Sequence, residues 1–429
     1  MTKVYVRRGG SRTGGCSVIL QPAANLQAGQ NKFKALFGGL TTLEADLLLI
    51  ASTIFAVDRC ITRGEREDLV RTIQVSLPVA NIGRFQPKLP LLEELLRTLS
   101  YDNWHIDLRH EGGKPEEDFN PKPASGNTLL FSGGLDSLAA AIEFGAAGEP
   151  LQLVSHTTRS QRMSVVQDEL VSDLRTIGIR SPHRKFQVSA VSKWPAAHLS
   201  FDAESSQRTR SFLFLTLGIL CARRAGHSKV IYIAENGQLA IHLPLTQARI
   251  GAFSTRTAHP EVLAKAQQFF DEILGLEIQI INPYVHKTKG EVTKIVWDRL
   301  PESVATTVSC WKTSRLTGDA THCGICAPCI IRRIAIETCG PDPTKYERDL
   351  FTERFAELPE DDDGRRNLAD YGEFVLRVEQ YSEMQMMDEW PELYSSEITC
   401  SDVIQMYRRA TVEARSVLSR YPNVARVLR

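Results

Sequence analysis

Six residues, Ser132-Gly133-Gly134-Leu135-Asp136-Ser137, stand directly between the apolar run 127–131 and a stretch whose Leu135, Leu138, Ala139 and Ile142 have helical spacing. A strand, a glycine-rich turn and a helix in that order build an oxyanion cradle. The paired glycines let backbone N–H groups turn inward, and the helix N-terminus adds partial positive charge. Ser132 and Ser137 supply hydroxyl donors, while Asp136 is placed to hold Mg²⁺ against phosphates. The lysine of the GK[ST] loop is missing, so γ-phosphate transfer is not the chemistry to which this loop points.

The loop opens a long alternation. Between about 127 and 340, strand patterns at 127–131, 151–157, 185–189, 229–234 and 277–282 alternate with helical patterns at 135–147, 162–177, 209–225, 260–274 and 289–299. This predicts an α/β fold, an open, doubly wound parallel sheet with helices on both faces, binding its ligand beyond the carboxyl ends of the strands. Residues 1–118 read as a small α+β domain. Its strands are at 72–77, with Ile73, Val75 and Leu77 inward, and at 104–109, with Trp104, Ile106 and Leu108 inward. Its helices are at 43–59 and 91–99. Residues 111–126, rich in Gly, Pro and acidic side chains, read as a linker. Residues 341–429 show no strand alternation and read as a helical extension, with helices at 345–358, 371–384 and 401–419.

The 429 residues carry 51 basic and 51 acidic side chains, a balance that argues against a protein whose main business is gripping long nucleic acid. The longest hydrophobic run, 47–57, is too short to span a bilayer, and no apolar signal region opens the chain, so a cytoplasmic protein without membrane segments is expected. Nine cysteines, four of them crowded between 310 and 329, suit a metal site better than disulfides. Cys323-Gly-Ile-Cys326-Ala-Pro-Cys329, with Cys310 upstream, offers four thiolates for a closed tetrahedral Zn²⁺ site that stabilises folding and does not activate water. His322 is an alternative to one of these ligands.

The six-residue loop resembles the PP-loop of enzymes that cleave ATP between its α- and β-phosphates and adenylate an acid. Together with the cysteine pattern and a trailing arginine, Arg332 or Arg333, it is similar to the QueC family, the 7-cyano-7-deazaguanine synthases. Weaker matches fall in order: Arg210-Ser211-Phe212, Glu235-Asn236, and Pro283 followed by Lys289-x-Glu291. The resemblance covers about 127–340. It implies a 7-deazaguanine carboxylate as small-molecule substrate, adenylated with release of pyrophosphate and then attacked by an amine. Catalysis would come from positioning and from neutralising charge on the α-phosphate and the departing pyrophosphate.

On that basis Ser132, Gly133, Gly134, Leu135, Asp136 and Ser137 are assigned to ATP and Mg²⁺. Lys289 reads as a phosphate cation or a solvated surface lysine, and Arg210 as an α-phosphate or carboxylate clamp or a structural ion pair. His156 and Arg159 are placed beside the adenosine. The acidic stretch that follows the Gly-x-Asn motif in QueC is replaced here by Gly237-Gln-Leu-Ala-Ile-His242. Glu235, next to Asn236, is the remaining nearby carboxylate able to accept the N–H donors of a guanine edge. Arg256 and His259 read as substrate contacts or as a polar helix cap.

The chain is longer than QueC at both ends, an architecture similar to the longer QueC-like proteins of anti-phage defence operons, the QatC group above all. That likeness implies a protein amino terminus, from a partner encoded in the same operon, in place of ammonia. The flanking regions would then dock the partner. A 7-cyano-7-deazaguanine synthase using ammonia in queuosine biosynthesis, a tRNA-modifying PP-loop enzyme and an inactive nucleotide-sensing scaffold are the other readings.

Overall fold

The computed structural model describes residues 1–7, 18–22, 24–63, 70–110, 126–157, 161–190, 204, 206–226, 230–246, 256–275, 279–312, 316 and 319–428. Eleven strands occur among them: β1 (Thr2–Val6), β2 (Val18–Leu20), β3 (Leu26–Gln27), β4 (Thr72–Val79), β5 (Asn103–His110), β6 (Asn127–Leu130), β7 (Leu151–Thr157), β8 (His183–Gln187), β9 (Ser189–Ala190), β10 (Val230–Tyr232) and β11 (Gln279–Ile281).

The central sheet has the order β11-β10-β6-β7-β8, with every pairing parallel. Chain order reverses between β6 and its neighbour β10, which opens a crevice at the carboxyl ends of those two strands. The alternation of β6 and β7 sends successive side chains to two cores. Leu129, Phe131 and Leu153 pack under the helix Leu135–Ala146, while Leu130 and Val154 face the helix Arg210–Ala225. The fold is α/β, with the five predicted strands and five predicted helices of this region all present.

The N-terminal region departs from the expected α+β arrangement, in which helices lie beside an antiparallel sheet. Its four strands, β2-β1-β4-β5, are also wholly parallel. The inward residues of 72–77 and 104–109 are buried as the alternation predicts. The region is not a separate body: its helix Thr42–Cys60 packs on Arg210–Ala225, and the two share one continuous core. Glu44 pairs with Arg223 (2.9 Å) and Arg224 (2.8 Å), Phe33 stacks on Phe186, and β3 pairs with β9. The predicted linker lies almost entirely outside the described residues.

In the C-terminal extension, helices form at Asp363–Gln380, Glu383–Glu389 and Cys400–Leu418. The helix expected over 345–358 does not form, and only a 3₁₀ turn, Phe355–Glu357, is present there. The segment spends its backbone groups on the cysteine loop instead: Lys345 O accepts from Thr321 N, Glu347 N donates to His322 O, and Arg348 N donates to Cys323 O. Gly324, at φ 78°, lets Arg348 O approach to where a Cβ would stand. No described helix is long and apolar enough to cross a membrane.

Candidate functional site

β6 ends at Leu130, and the chain turns through Ser132 and Gly133 into the helix Leu135–Ala146. Gly133 has φ +90°, and a Cβ there would press on Met163 and Gln167 at 3.2–3.3 Å, so glycine is required twice over. Gly134 is the N-cap, and no side chain caps the helix. Its first N–H groups therefore remain available to an anion. Ser137 Oγ donates to Gly134 O (3.0 Å) and lies 3.2 Å from Ser132 Oγ, so both hydroxyls border the cradle. Leu135 is fully buried in the core, which limits it to a backbone contribution.

Asp136 is the junction of the site. Its Oδ1 accepts from Lys289 Nζ (2.8 Å), and its Oδ2 accepts from Asn236 Nδ2 (3.0 Å) and, at 3.4 Å, from Asn236 N. Lys289 is 3 % exposed, which excludes the surface-lysine reading. It is the first residue of the helix Lys289–Trp297, whose N-cap Thr288 forms a capping box with Glu291. A cation in a first helical turn faces the positive end of the macrodipole. The Asp136 carboxylate offsets that cost, and Gln238 Oε1 fixes the turn by accepting from Lys289 N (2.9 Å).

Glu235 and Asn236 follow β10, across the switch point from the loop. Asn236 caps the short helix Gly237–Ile241. Burial, reinforced by Asp136 and opposed by Lys289, pushes the Glu235 carboxyl up to about 8. The Ala258 N–H donates to this carboxyl, while Glu235 Oε2 is buried with no hydrogen-bond partner among the described residues. His259 caps the helix Pro260–Leu274 through Nδ1, as the polar-cap reading expects, while its Nε2 is also buried with no hydrogen-bond partner among the described residues. Burial first and Arg256 second lower its pKa to about 4. A neutral imidazole with Arg256 beside it, and a carboxyl oxygen without a partner among the described residues, thus lie on the segment that follows β10.

Arg210 and His156 form a separate group. His156 Nε2 lies 3.2 Å from Val188 O, and its ring meets Phe55 edge-on. Burial, then Arg210, lower its pKa to about 3, so it stays neutral. Among the described residues Arg210 Nε has no hydrogen-bond partner and Arg59 stands near, so the structural ion-pair reading finds no support among them. Among the described residues no hydrogen bond joins either side chain to the loop. Arg159 lies outside the described residues.

Cys310, Cys323, Cys326 and Cys329 are all buried, with their sulfurs within 4.8 Å of one another. Tetrahedral Zn–S bonds of about 2.3 Å set sulfurs roughly 3.8 Å apart, against 3.4 Å for Cys326–Cys329 and 3.8 Å for Cys323–Cys329. The donor set fits Zn²⁺. Lys312 N and Cys323 N point at Cys310 Sγ, which suits a thiolate. His322 has both nitrogens engaged, with Ser309 N and Thr321 Oγ1, so it is no ligand. Val308, two residues before Cys310, donates to Gly133 O (3.0 Å). Arg332 holds the same loop at Val304 O and Thr307 Oγ1. The cysteine module therefore braces the phosphate loop.

The sequence reading missed Gln238, Val308 and Gln167, whose Nε2 donates to Ser132 O. The Thr288-x-x-Glu291 capping box was a legible signal for the Lys289 helix start.

Residues 127–340 match the family model described as "Queuosine biosynthesis protein QueC". The 7-cyano-7-deazaguanine synthase of Paracoccus denitrificans (strain Pd 1222) is 28% identical over 250 residues, 53% of this chain and 97% of the relative. The corresponding protein of Agrobacterium fabrum (strain C58 / ATCC 33970) is 27% identical over 239 residues, 51% of this chain and 91% of the relative. A third, 7-cyano-7-deazaguanine synthase 1 of Mesorhizobium japonicum, is 26% identical over 234 residues, 51% and 92%. The N-terminal sheet and the C-terminal helices lie outside the family match.

Proposed function

With residues 127–340 forming a QueC-like, ATP-using PP-loop domain as premise, we propose that this chain adenylates a 7-deazaguanine carboxylate and passes the acyl group to the amino terminus of a partner protein in anti-phage defence. ATP binds with its phosphates on Ser132, Gly133, Gly134 and Ser137. Asp136 would hold Mg²⁺, which would supply positive charge against the phosphates. Lys289 and the helix N-terminus neutralise the departing pyrophosphate. Glu235 accepts the N–H donors of the base, and Zn²⁺ on the four cysteines holds the loop from behind. Arg210 is assigned to the α-phosphate or the substrate carboxylate, and His156 and Arg159 to the adenosine.

The observation that carries the activation step is the buried Asp136–Lys289 pair at the mouth of an uncapped helix. It supports a charged ligand at this end of the loop, because a buried charge pair without a ligand to serve is costly. The relatives favour a second reading, nitrile synthesis with ammonia. Against it stand the loss of the acidic stretch after Asn236 and two added regions packed onto the catalytic domain, which suit a macromolecular nucleophile.

Incubation with ATP, Mg²⁺, 7-carboxy-7-deazaguanine and the proteins encoded beside this chain decides between them by intact mass spectrometry. The expected result is a mass increase on one partner, with pyrophosphate release abolished by Asp136→Ala. Efficient nitrile formation with ammonia and no modified protein would overturn the transfer step. No pyrophosphate from the wild type would return the scaffold.

A further inference from the structure

The helix Cys400–Leu418 belongs to the C-terminal extension, yet one face of it lies along the elements that build the nucleotide site. Positions 406, 409, 410 and 413 share that face by helical spacing. Met406 packs on Gly237, where a Cβ would stand 2.7 Å from its methyl carbon. Tyr407 Oη donates to Gln238 O (3.2 Å) and accepts from Leu243 N (3.1 Å). Arg409 reaches Glu291 (2.7 Å) and His286 O (2.7 Å).

Glu413 is the most informative of these contacts. Its carboxylate accepts from the Thr288 hydroxyl and from the Gly290 N–H, the N-cap and second residue of the helix that starts with Lys289. A Cβ on Gly290 would fall 2.6–2.7 Å from the Glu413 carboxylate atoms, so glycine is what admits the cap. That helix turn needs help. It carries a buried ammonium at its positive end, and its own capping box already uses Thr288 and Glu291. A carboxylate from another element, set on the same turn, offsets the macrodipole and fixes where the Lys289 side chain emerges.

We propose that Glu413 is a positioning residue for the ATP site: by capping the Lys289 helix from the C-terminal extension, it holds the Lys289 ammonium against Asp136. The inference rests on the reading of that pair as part of the ATP site. It makes the extension part of the catalytic apparatus and not only a surface for a partner. Glu413 is faced by Glu291 on the capped helix, Arg409 on its own helix, Tyr371 on the helix Asp363–Gln380, and Cys339 beyond the helix Ala327–Glu337. Burial pushes its carboxyl up to about 7, so the ionised cap forms as pH rises through that value.

The test compares full-length wild type with Glu413→Gln, Glu413→Ala and Gly290→Ala. Gly290→Ala expels the carboxylate while favouring helix. Pyrophosphate release with ATP, Mg²⁺ and 7-carboxy-7-deazaguanine is followed from pH 5.5 to 9, alongside thermal melting. Glu413→Ala and Gly290→Ala should lower kcat about tenfold, with ATP KM changing less than about threefold, since small misplacements act on the transition state. Glu413→Gln should retain more activity and lose the rise in kcat near pH 7. Unchanged kcat and pH profile in folded variants, with only the melting point lowered, would overturn the proposal. If the wild type releases no pyrophosphate, the proposed reaction fails separately. Calorimetric binding of pyrophosphate with Mg²⁺, the group whose charge Lys289 neutralises, then decides: weaker binding in Glu413→Ala and Gly290→Ala sustains the positioning role, and equal binding ends it.

Discussion

The loop after β6 and the loop after β10 lie side by side at the carboxyl edge of one sheet, and they are built on opposite principles. The first is a backbone device, two glycines, two short hydroxyls and an uncapped helix, held by hydrogen bonds within six residues. Its ligand chemistry follows from composition, because phosphate recognition needs N–H groups and little else. The second is a side-chain device. Burial and Asp136 raise the pKa of Glu235, burial and Arg256 lower that of His259, and one polar atom on each has no hydrogen-bond partner among the described residues. A backbone device tolerates few substitutions and serves one kind of ligand. A side-chain device can be rewritten to change the acid that is activated.

The largest effect separating the two is expected at Lys289. Lys289→Met leaves Asp136 buried with its charge uncompensated, which should cost about 3–5 kcal/mol of stability. It should also lower pyrophosphate release by about 10²–10³-fold through lost charge neutralisation. Retained turnover would remove Lys289 from the phosphate end. Next comes the metal. Stripping Zn²⁺ with a chelator should release about one equivalent per chain and lower ATP affinity about tenfold or more, because the Val308–Gly133 contact depends on the loop that ends at Cys310. Elemental analysis beside ATP titration checks this. Metal loss without any change in ATP binding would uncouple the cysteine module from the loop.

Much of this was legible in the sequence for a physical reason: strands of period two and helices of period 3.6 announce themselves locally. Ile73, Val75, Leu77 and the whole central alternation are of this kind. β1 and β2 were missed because runs of five and three residues are too short for a period to stand out. The 345–358 helix failed because tertiary hydrogen bonds to the cysteine loop outbid a helical pattern. The partnership of Asp136 with Lys289 spans 153 residues and exists only because the strand order sets β10 beside β6 and β11 next beyond it. Arg210 had a motif but no such neighbour, and a sequence does not distinguish the two cases. Glu413 carried no signal at all, since its meaning lies in the turn that it caps.

Glu235→Gln is the smallest of these effects, and it sharpens the comparison most. The substitution removes the capacity to ionise while keeping shape, so ATP KM should stay within about twofold while, above pH 8, KM for the deazaguanine acid rises about tenfold, the loss of a charge-assisted hydrogen bond. Stability carries the second signature. The native carboxyl binds its proton up to about 8, whereas the unfolded chain releases it near the ordinary glutamate value of 4.5. Between those values the native state holds more protons than the unfolded one, so wild-type stability falls as pH rises through this window. Glu235→Gln cannot titrate, and its melting temperature should fall less between pH 5 and pH 8. The substrate should show the converse: its N–H donors favour the ionised carboxylate, so the acid binds more tightly to the wild type as pH rises through about 8, and Glu235→Gln lacks that gain. Parallel melting curves for the two proteins, or a tenfold change in ATP KM, would make Glu235 part of the phosphate end and erase the division between the two loops.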